Sequence, residues 1–156
     1  MKHFDHVLAG AAVAFLLGGS PSASAQDEEQ IIQCEKVPAA VRSAFAKTYP
    51  KATIKGCAKE VENGKTAYEI ASVERGIGRD VLYDAKGMLI VVEETIATAA
   101  LPKPVQQAAH TKAPKGKIIL AEKLTRGSSV TYELQIKSQG KTMEIIFDTN
   151  GSEIPP

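Results

Sequence analysis

The feature that most constrains this chain is a phrase that occurs twice at one fixed spacing. Tyr68-Glu69-Ile70 is followed by Val81-Leu82-Tyr83-Asp84-Ala85-Lys86-Gly87. Tyr132-Glu133-Leu134 is followed by Ile145-Ile146-Phe147-Asp148-Thr149-Asn150-Gly151, every matched residue 64 positions after its counterpart. Sliding residues 37–90 onto 101–154 without gaps gives 13 identities in 54 pairs. Ordinary composition gives roughly three. Turn and helix-end residues are among the matches: Pro38 with Pro102, Pro50 with Pro114, Gly76 with Gly140, Asp84 with Asp148 and Gly87 with Gly151. Self-similarity at a fixed period marks an internal duplication. A unit of about 60 residues is near the lower limit for folding alone, so the units are expected to share a sheet or pack their helices on a common one.

Local signals order the elements within a unit. Val37, Val41, Ala44 and Phe45 recur at helical spacing, which predicts a helix over 37–47. Pro38 sits in its first turn, where a missing N–H costs nothing, and Tyr49-Pro50 ends it. A strand over 52–61 runs into Asn63-Gly64, the strongest short hairpin signal, and a second strand covers 66–74. Arg75-Gly76-Ile77-Gly78 turns the chain into a strand over 79–83. Asp84-Ala85-Lys86-Gly87, with Asp first and Gly fourth, makes a turn into a strand over 88–96. Residues 97–100 form a linker, and the order restarts with Leu101, Val105, Ala108 and Ala109. Strands over 117–124, 130–137 and 141–148 and a stub over 152–154 follow. The expected fold class is α+β. Two tandem helix-plus-four-strand repeats, 37–96 and 101–156, form an antiparallel sheet with the helices packed on one face.

The start of the chain reads differently. Lys2, an apolar stretch over 7–17, then Gly18, Gly19, Pro21 and the small residues Ala23-Ser24-Ala25 have the order of a secretory signal peptide over 1–25. The apolar run is much shorter than the ~20 residues that a membrane-spanning helix needs. Cleavage after Ala25 leaves 131 residues, 26–156, beginning with a polar arm over 26–36. An address in the periplasm or outside the cell suits the two cysteines. Cys34 and Cys57 in an oxidising compartment usually form a structural disulfide. Two free thiols, or a redox or metal pair, are the alternatives, the last without Cys-x-x-Cys spacing or a nearby histidine. Closing the loop would stabilise by roughly 3 kcal/mol in the chain-entropy model.

Nineteen Lys and Arg against 18 Asp and Glu give a formal net charge of +1. No basic field for nucleic acid or for a membrane surface follows from that balance. Trp is absent and aromatics make up 5% of the chain, which leaves few stacking platforms.

Val-Pro-x-x-Val, an aromatic, Tyr-Pro-Lys-Ala, Tyr-Glu-Ile and Asp-x-x-Gly, in that order, resemble the PepSY-like domain family, whose fold is similar to the tandem halves of the beta-lactamase inhibitor protein. The resemblance covers nearly all of residues 37–154. The second copy departs from it at Ala109 and Ala113, where the first has Phe45 and Tyr49. The resemblance implies a secreted or periplasmic domain with helices on an antiparallel sheet, and binding or inhibition of other proteins. It carries over no catalytic residue.

The residues themselves support no reactive constellation. Tyr68 and Tyr132 share a strand face with Ile70 and Leu134, so they read as core, and Glu69 and Glu133 point to the other side. If the helices cover the tyrosine face, both carboxyl groups stand on the open face, with Leu82, Glu144 and Ile146. That surface reads as broad and polar with a few apolar spots. It is what a solvated antiparallel sheet looks like, and equally a place for a protein to dock. Asp148-Thr149-Asn150-Gly151-Ser152 is a turn; its glycine stands at position 4, not the 6 of a calcium loop. His110 has no second histidine beside it after residue 25 and makes neither a metal site nor a triad. Gly76-Ile77-Gly78 precedes a strand and cradles no phosphate. The expectation is a monomeric, non-enzymatic module without cofactor or metal, docking a protein or peptide through Glu69, Glu133, Leu82 and Ile146. An envelope protein that binds a small ligand or a metal ion is the alternative.

Overall fold

Among the described residues, each strand pairs with the strand next to it in sequence. The computed structural model describes residues 28–62 and 64–155. The expected signal peptide and its cleavage point lie outside the described residues, as does Asn63 of the first hairpin turn. The strands are β1 (Glu28–Ile32), β2 (Thr53–Glu62), β3 (Lys65–Glu74), β4 (Ile77–Asp84), β5 (Leu89–Thr95), β6 (Lys117–Arg126), β7 (Ser129–Ser138), β8 (Lys141–Asp148) and β9 (Glu153–Ile154). They form one sheet in chain order, each neighbour antiparallel to the last. Helix α1 (Ala39–Thr48) precedes β2, and α2 (Lys103–Lys112) precedes β6. The fold is thus α+β, a nine-stranded antiparallel sheet with two helices.

Alternation along the strands puts both helices on one face. Ile70 pairs with Val81 and Val81 with Val92, and Val92 faces Thr125 across the β5–β6 junction. Ala121, on the same side of β6 as Thr125, pairs with Leu134, which pairs with Ile145. That row is the floor of two adjoining cores. Val41 and Phe45 of α1 pack with Cys57, Ile70, Val81 and Tyr83. Val105 and Ala109 of α2 pack with Ala121, Leu134, Ile145 and Phe147. Tyr68 and Tyr132 are half-buried at the edges of these clusters.

The repeated Asp-x-x-Gly ties each hairpin to its helix. Asp84 Oδ1 accepts hydrogen bonds from the backbone N–H groups of Lys86 (2.8 Å) and Met88 (2.9 Å). Asp148 Oδ1 does the same for Asn150 and Ser152, both at 2.8 Å. Gly87 and Gly151 have φ of +80° and +83°, and a Cβ there would stand 2.7 Å from Ala40 O and 2.6 Å from Pro104 O. Only glycine suits both the left-handed turn and the close approach to the first helical turn. At the same helix ends, Arg42 Nε donates to Val37 O and Gln106 Nε2 to Leu101 O.

Two expectations change. The segment expected as a polar arm over 26–36 contains strand β1, paired with β2 from Glu28↔Val61 to Ile32↔Cys57. A strand at the sheet edge has one neighbour and much of its surface in water, so Glu29 and Gln30 break no alternation rule there. The linker over 97–100 holds a 3-10 turn, Thr98–Ala100. Cys34 and Cys57 are joined by a disulfide across 23 residues of sequence, with Cα atoms 5.3 Å apart. The bond ties the segment after β1 to the second strand. No helix among the described residues is long and apolar enough to cross a membrane.

Candidate functional site

The helix-free face of a sheet is ordinarily its wet face. Here its centre is dry. Glu69, Glu93 and Glu133 are 6%, 4% and 2% exposed, and Leu82, Val91 and Leu124 beside them are buried as well. Neither α1 nor α2 covers these side chains, and the sheet itself curls around them. Twist accumulated over nine strands and the register shifts at Ile54/Gly56, Leu82/Tyr83 and Ile118/Leu120 supply the curvature.

Cross-strand pairing assembles the face strand by strand. Glu69 stands opposite Ala58 on one side and Leu82 on the other. Ala67 brings in Glu60, Ala71 brings in Asp80, and Asp80 faces Glu93. Across the junction Glu93 faces Leu124, and Glu122 faces Glu133. Glu133 then faces Ile146, while Gln135 faces Glu144. The result is a band of carboxyl groups with an apolar floor of Leu82, Val91 and Leu124, flanked by Ala67 and Ile90.

Burial among like charges raises the proton affinity of the band. Burial pushes Glu69 up to about 9, helped by a hydrogen bond with Glu60 and by the charges of Asp80 and Glu93. Glu93 rises to about 9 through burial, then through Glu133, Glu122, Asp80 and Glu60. Glu133 rises to about 8 through burial, the charges of Glu144 and Glu122, and a hydrogen bond with Glu144. Burial alone takes Asp80 to about 6. Burial and Asp80 raise Glu122, against a hydrogen bond from Thr95. At neutral pH Glu69, Glu93 and Glu133 are therefore largely carboxylic acids. Glu93 Oε1 and Glu133 Oε1 are buried without a hydrogen-bond partner, the costly state for a polar atom.

The residues singled out by the sequence fall into two facing pairs, Glu69 with Leu82 and Glu133 with Ile146. Ile146 is half-buried; the other three are buried, where a solvated face was expected. The curl explains the change, because alternation gives the side of a sheet and not its curvature. Glu60, Asp80, Glu93 and Glu122 carry no signal of their own in the sequence. The two-residue turn at Gly127-Ser128 would have set Glu122 against Glu133, and the Arg75-Gly76 turn would have set Asp80 against Ala71. Glu93 needed the β5–β6 pairing, which crosses between the halves. His110 lies on α2, on the opposite side of the sheet.

A family profile described as beta-lactamase-inhibitor-like and PepSY-like matches the sequence twice, over residues 25–91 and 78–154. No protein of curated function matches it. Several solved structures share the fold. A protein from Bacteroides eggerthii described as periplasmic superposes with a TM-score of 0.65 at 17% identity, over 76% of this chain and 86% of its own. A DUF2874 family protein from Bacteroides uniformis gives 0.62 at 18% identity, over 76% and 86%. A BLIP-like protein from Bacteroides fragilis gives 0.57 at 22%, over 76% and 84%. Identities this low speak to fold and not to shared function.

Proposed function

The chain belongs to the beta-lactamase-inhibitor-like, PepSY-like family, and from that premise we propose that it is a non-catalytic periplasmic or secreted module that docks a protein or peptide on the helix-free face of its sheet. Its two halves are read as copies of one helix-plus-four-strand unit, which doubles the length of that face. The observation that supports the reading is the rim of the face that α1 and α2 leave open, where half-buried Ala67, Ile90 and Ile146 and exposed Glu144 border the buried floor of Leu82, Val91 and Leu124. Solvent-reaching apolar groups among polar ones are the common anatomy of a protein contact. Glu69, Glu133, Leu82 and Ile146 are the proposed contact residues. The Cys34–Cys57 disulfide and the leader-like composition of residues 1–25 favour the oxidising compartment.

The alternative is an envelope protein that binds a small ligand or a metal ion. Among the described residues no three His, Cys, Asp or Glu side chains are grouped so as to hold a metal ion.

Affinity capture from a periplasmic extract tests the docking reading. The wild type should retain a partner that Ile146→Arg and the pair Glu69→Lys with Glu133→Lys release. Retention by all three proteins, or no retained partner, would overturn it. A rise of several degrees in melting temperature with divalent metals, abolished by chelator, would move the reading to the metal-binding alternative.

A further inference from the structure

We infer that the seam of the helix-free face, where Glu93 of β5 and Glu133 of β7 flank β6, is a site for a cationic side chain, and that the docked partner is a basic peptide segment presenting lysine. The inference rests on the docking reading above and names the chemistry of its occupant.

The argument begins with the two orphaned acceptors. Glu93 Oε1 and Glu133 Oε1 belong to side chains 4% and 2% exposed, and neither oxygen has a hydrogen-bond partner. The two groups come from adjacent halves, and each lies within electrostatic reach of Glu122. Leaving one such acceptor unpaired costs about 1–3 kcal/mol. A ligand that supplies the missing donors removes that cost. The missing groups are donors, and the surrounding charge decides their sign. Glu60 and Glu69 approach from β2 and β3, Asp80 from β4, Glu122 from β6 and Glu144 from β8. By the same alternation cations stand on this face as well, Arg126 at the end of β6 and Lys137 toward the end of β7. Acids outnumber those cations around the seam, and Glu60 and Glu144 at its rim set the sign that a cation complements. An ammonium group has three donors and no acceptor, which suits two carboxyl oxygens that lack donors. Its four-carbon stem suits the apolar floor of Leu82, Val91 and Leu124.

Protonation supplies a signature. In the free protein burial holds Glu93 near 9 and Glu133 near 8, so both carry protons at neutral pH. An ammonium between them favours the carboxylate forms, and the protons leave for solvent. Binding of the cation is therefore exchanged against protons and tightens as pH rises toward 8.

The test is titration calorimetry of the purified protein with N-acetyl-tetralysine amide, near neutral pH, in two buffers of different ionisation enthalpy. Saturable binding with proton release is expected, weakened at least about tenfold in Glu93→Gln with Glu133→Gln. Absence of binding, binding without proton release, or equal binding by the double variant overturns the inference. So does binding of calcium chloride in place of the peptide. The glutamines are neutral and of the same shape, so the double variant should fold. A melting curve checks this, and Glu122→Gln with Glu144→Gln at the rim reads the same weakening if it does not. The two readings fail separately. A partner that Ile146→Arg releases but Glu93→Gln with Glu133→Gln retains leaves docking and removes the cation. Tetralysine binding with proton release and no captured partner does the reverse.

Discussion

The two halves of the molecule share one sheet and solve the underside of their helices differently. Beneath α1 the space is filled by rings. Phe45 and Tyr49 pack with centroids 5.3 Å apart, and the Arg79 guanidinium lies 4.4 Å from the centre of the Tyr49 ring. Arg79 also donates from Nε (2.9 Å) and Nη2 (2.8 Å) to Glu94 Oε1. Sixty-four positions later the same places hold Ala109, Ala113 and Met143. Beneath α2 the backbone closes in. A Cβ on Gly116 would stand 2.6 Å from Ile136 Cγ2 and 2.8 Å from Ala113 Cβ. A hollow of about 340 Å³ remains, lined by Ala109, Ala113, Gly116 and Ile118 among others. The first half is also the only one with a disulfide. What the halves keep in common is the turn that grips the helix and, on the other face, the acids at Glu69/Glu133 and Asp80/Glu144. The covered faces differ at these three large positions but keep Val41/Val105, Ala44/Ala108 and Tyr68/Tyr132, and the open faces keep an acid at the same two strand positions.

The largest expected effect tests that shared face. Glu69, Glu93 and Glu133 hold their protons up to about 9, 9 and 8 when folded, against an ordinary value of 4.5. The folded protein therefore binds protons that the unfolded chain gives up. Stability from this source is complete below about 4.5 and is lost as pH rises through 8–9. The melting temperature should fall by about 10 °C or more between pH ~5 and pH ~9. Glu69→Gln and Glu133→Gln should each flatten the profile, one from either half. A profile that stays level, or one flattened by only one of the two substitutions, would show that the face is not shared.

Next come the differences beneath the helices. Phe45→Ala should destabilise by about 3–4 kcal/mol in urea titration, since Phe45 is 2% exposed and its ring fills the first core. A loss below about 1 kcal/mol would mean that the first half closes on its backbone as readily as the second. Replacing Cys34 and Cys57 together by serine should cost roughly 3 kcal/mol, by the chain-entropy argument. The bond anchors the chain next to β1, so amide exchange there should quicken more than in β6–β8. Uniform quickening along the sheet would show that the disulfide serves both halves.

Much of this comparison could be read from the chain. The hairpins were legible because Gly76, Gly140, Asp84 and Asp148 state their turns locally, and the helices because Pro38, Pro50, Pro102 and Pro114 bracket them. The face of Glu69 and Glu133 was legible from alternation alone. Strand β1 was not, because an edge strand needs only one apolar side, and Ile31 is 66% exposed. Nor was the burial of the acids. It depends on the curl of the whole sheet, and for Glu93 on a pairing with Leu124 of the other half.

The smallest effect separates the two ways of closing a core. Gly116→Ala puts a methyl group within 3 Å of Ile136 and Ala113, both of them buried. Overpacking of this kind costs about 1–3 kcal/mol. The mirrored change, Ala52→Gly, removes only a methyl group and adds chain freedom, for about 0.5–1 kcal/mol. Urea midpoints of the two variants, at equal m-values, compare them directly. The order should be Gly116→Ala below Ala52→Gly below wild type. If Gly116→Ala is neutral, the hollow beside it absorbs the methyl group and the second half is loosely rather than tightly closed. The comparison then shifts from two packed undersides to one packed and one yielding, with the rigidity of the sheet coming from the half that carries Phe45, Tyr49 and the disulfide.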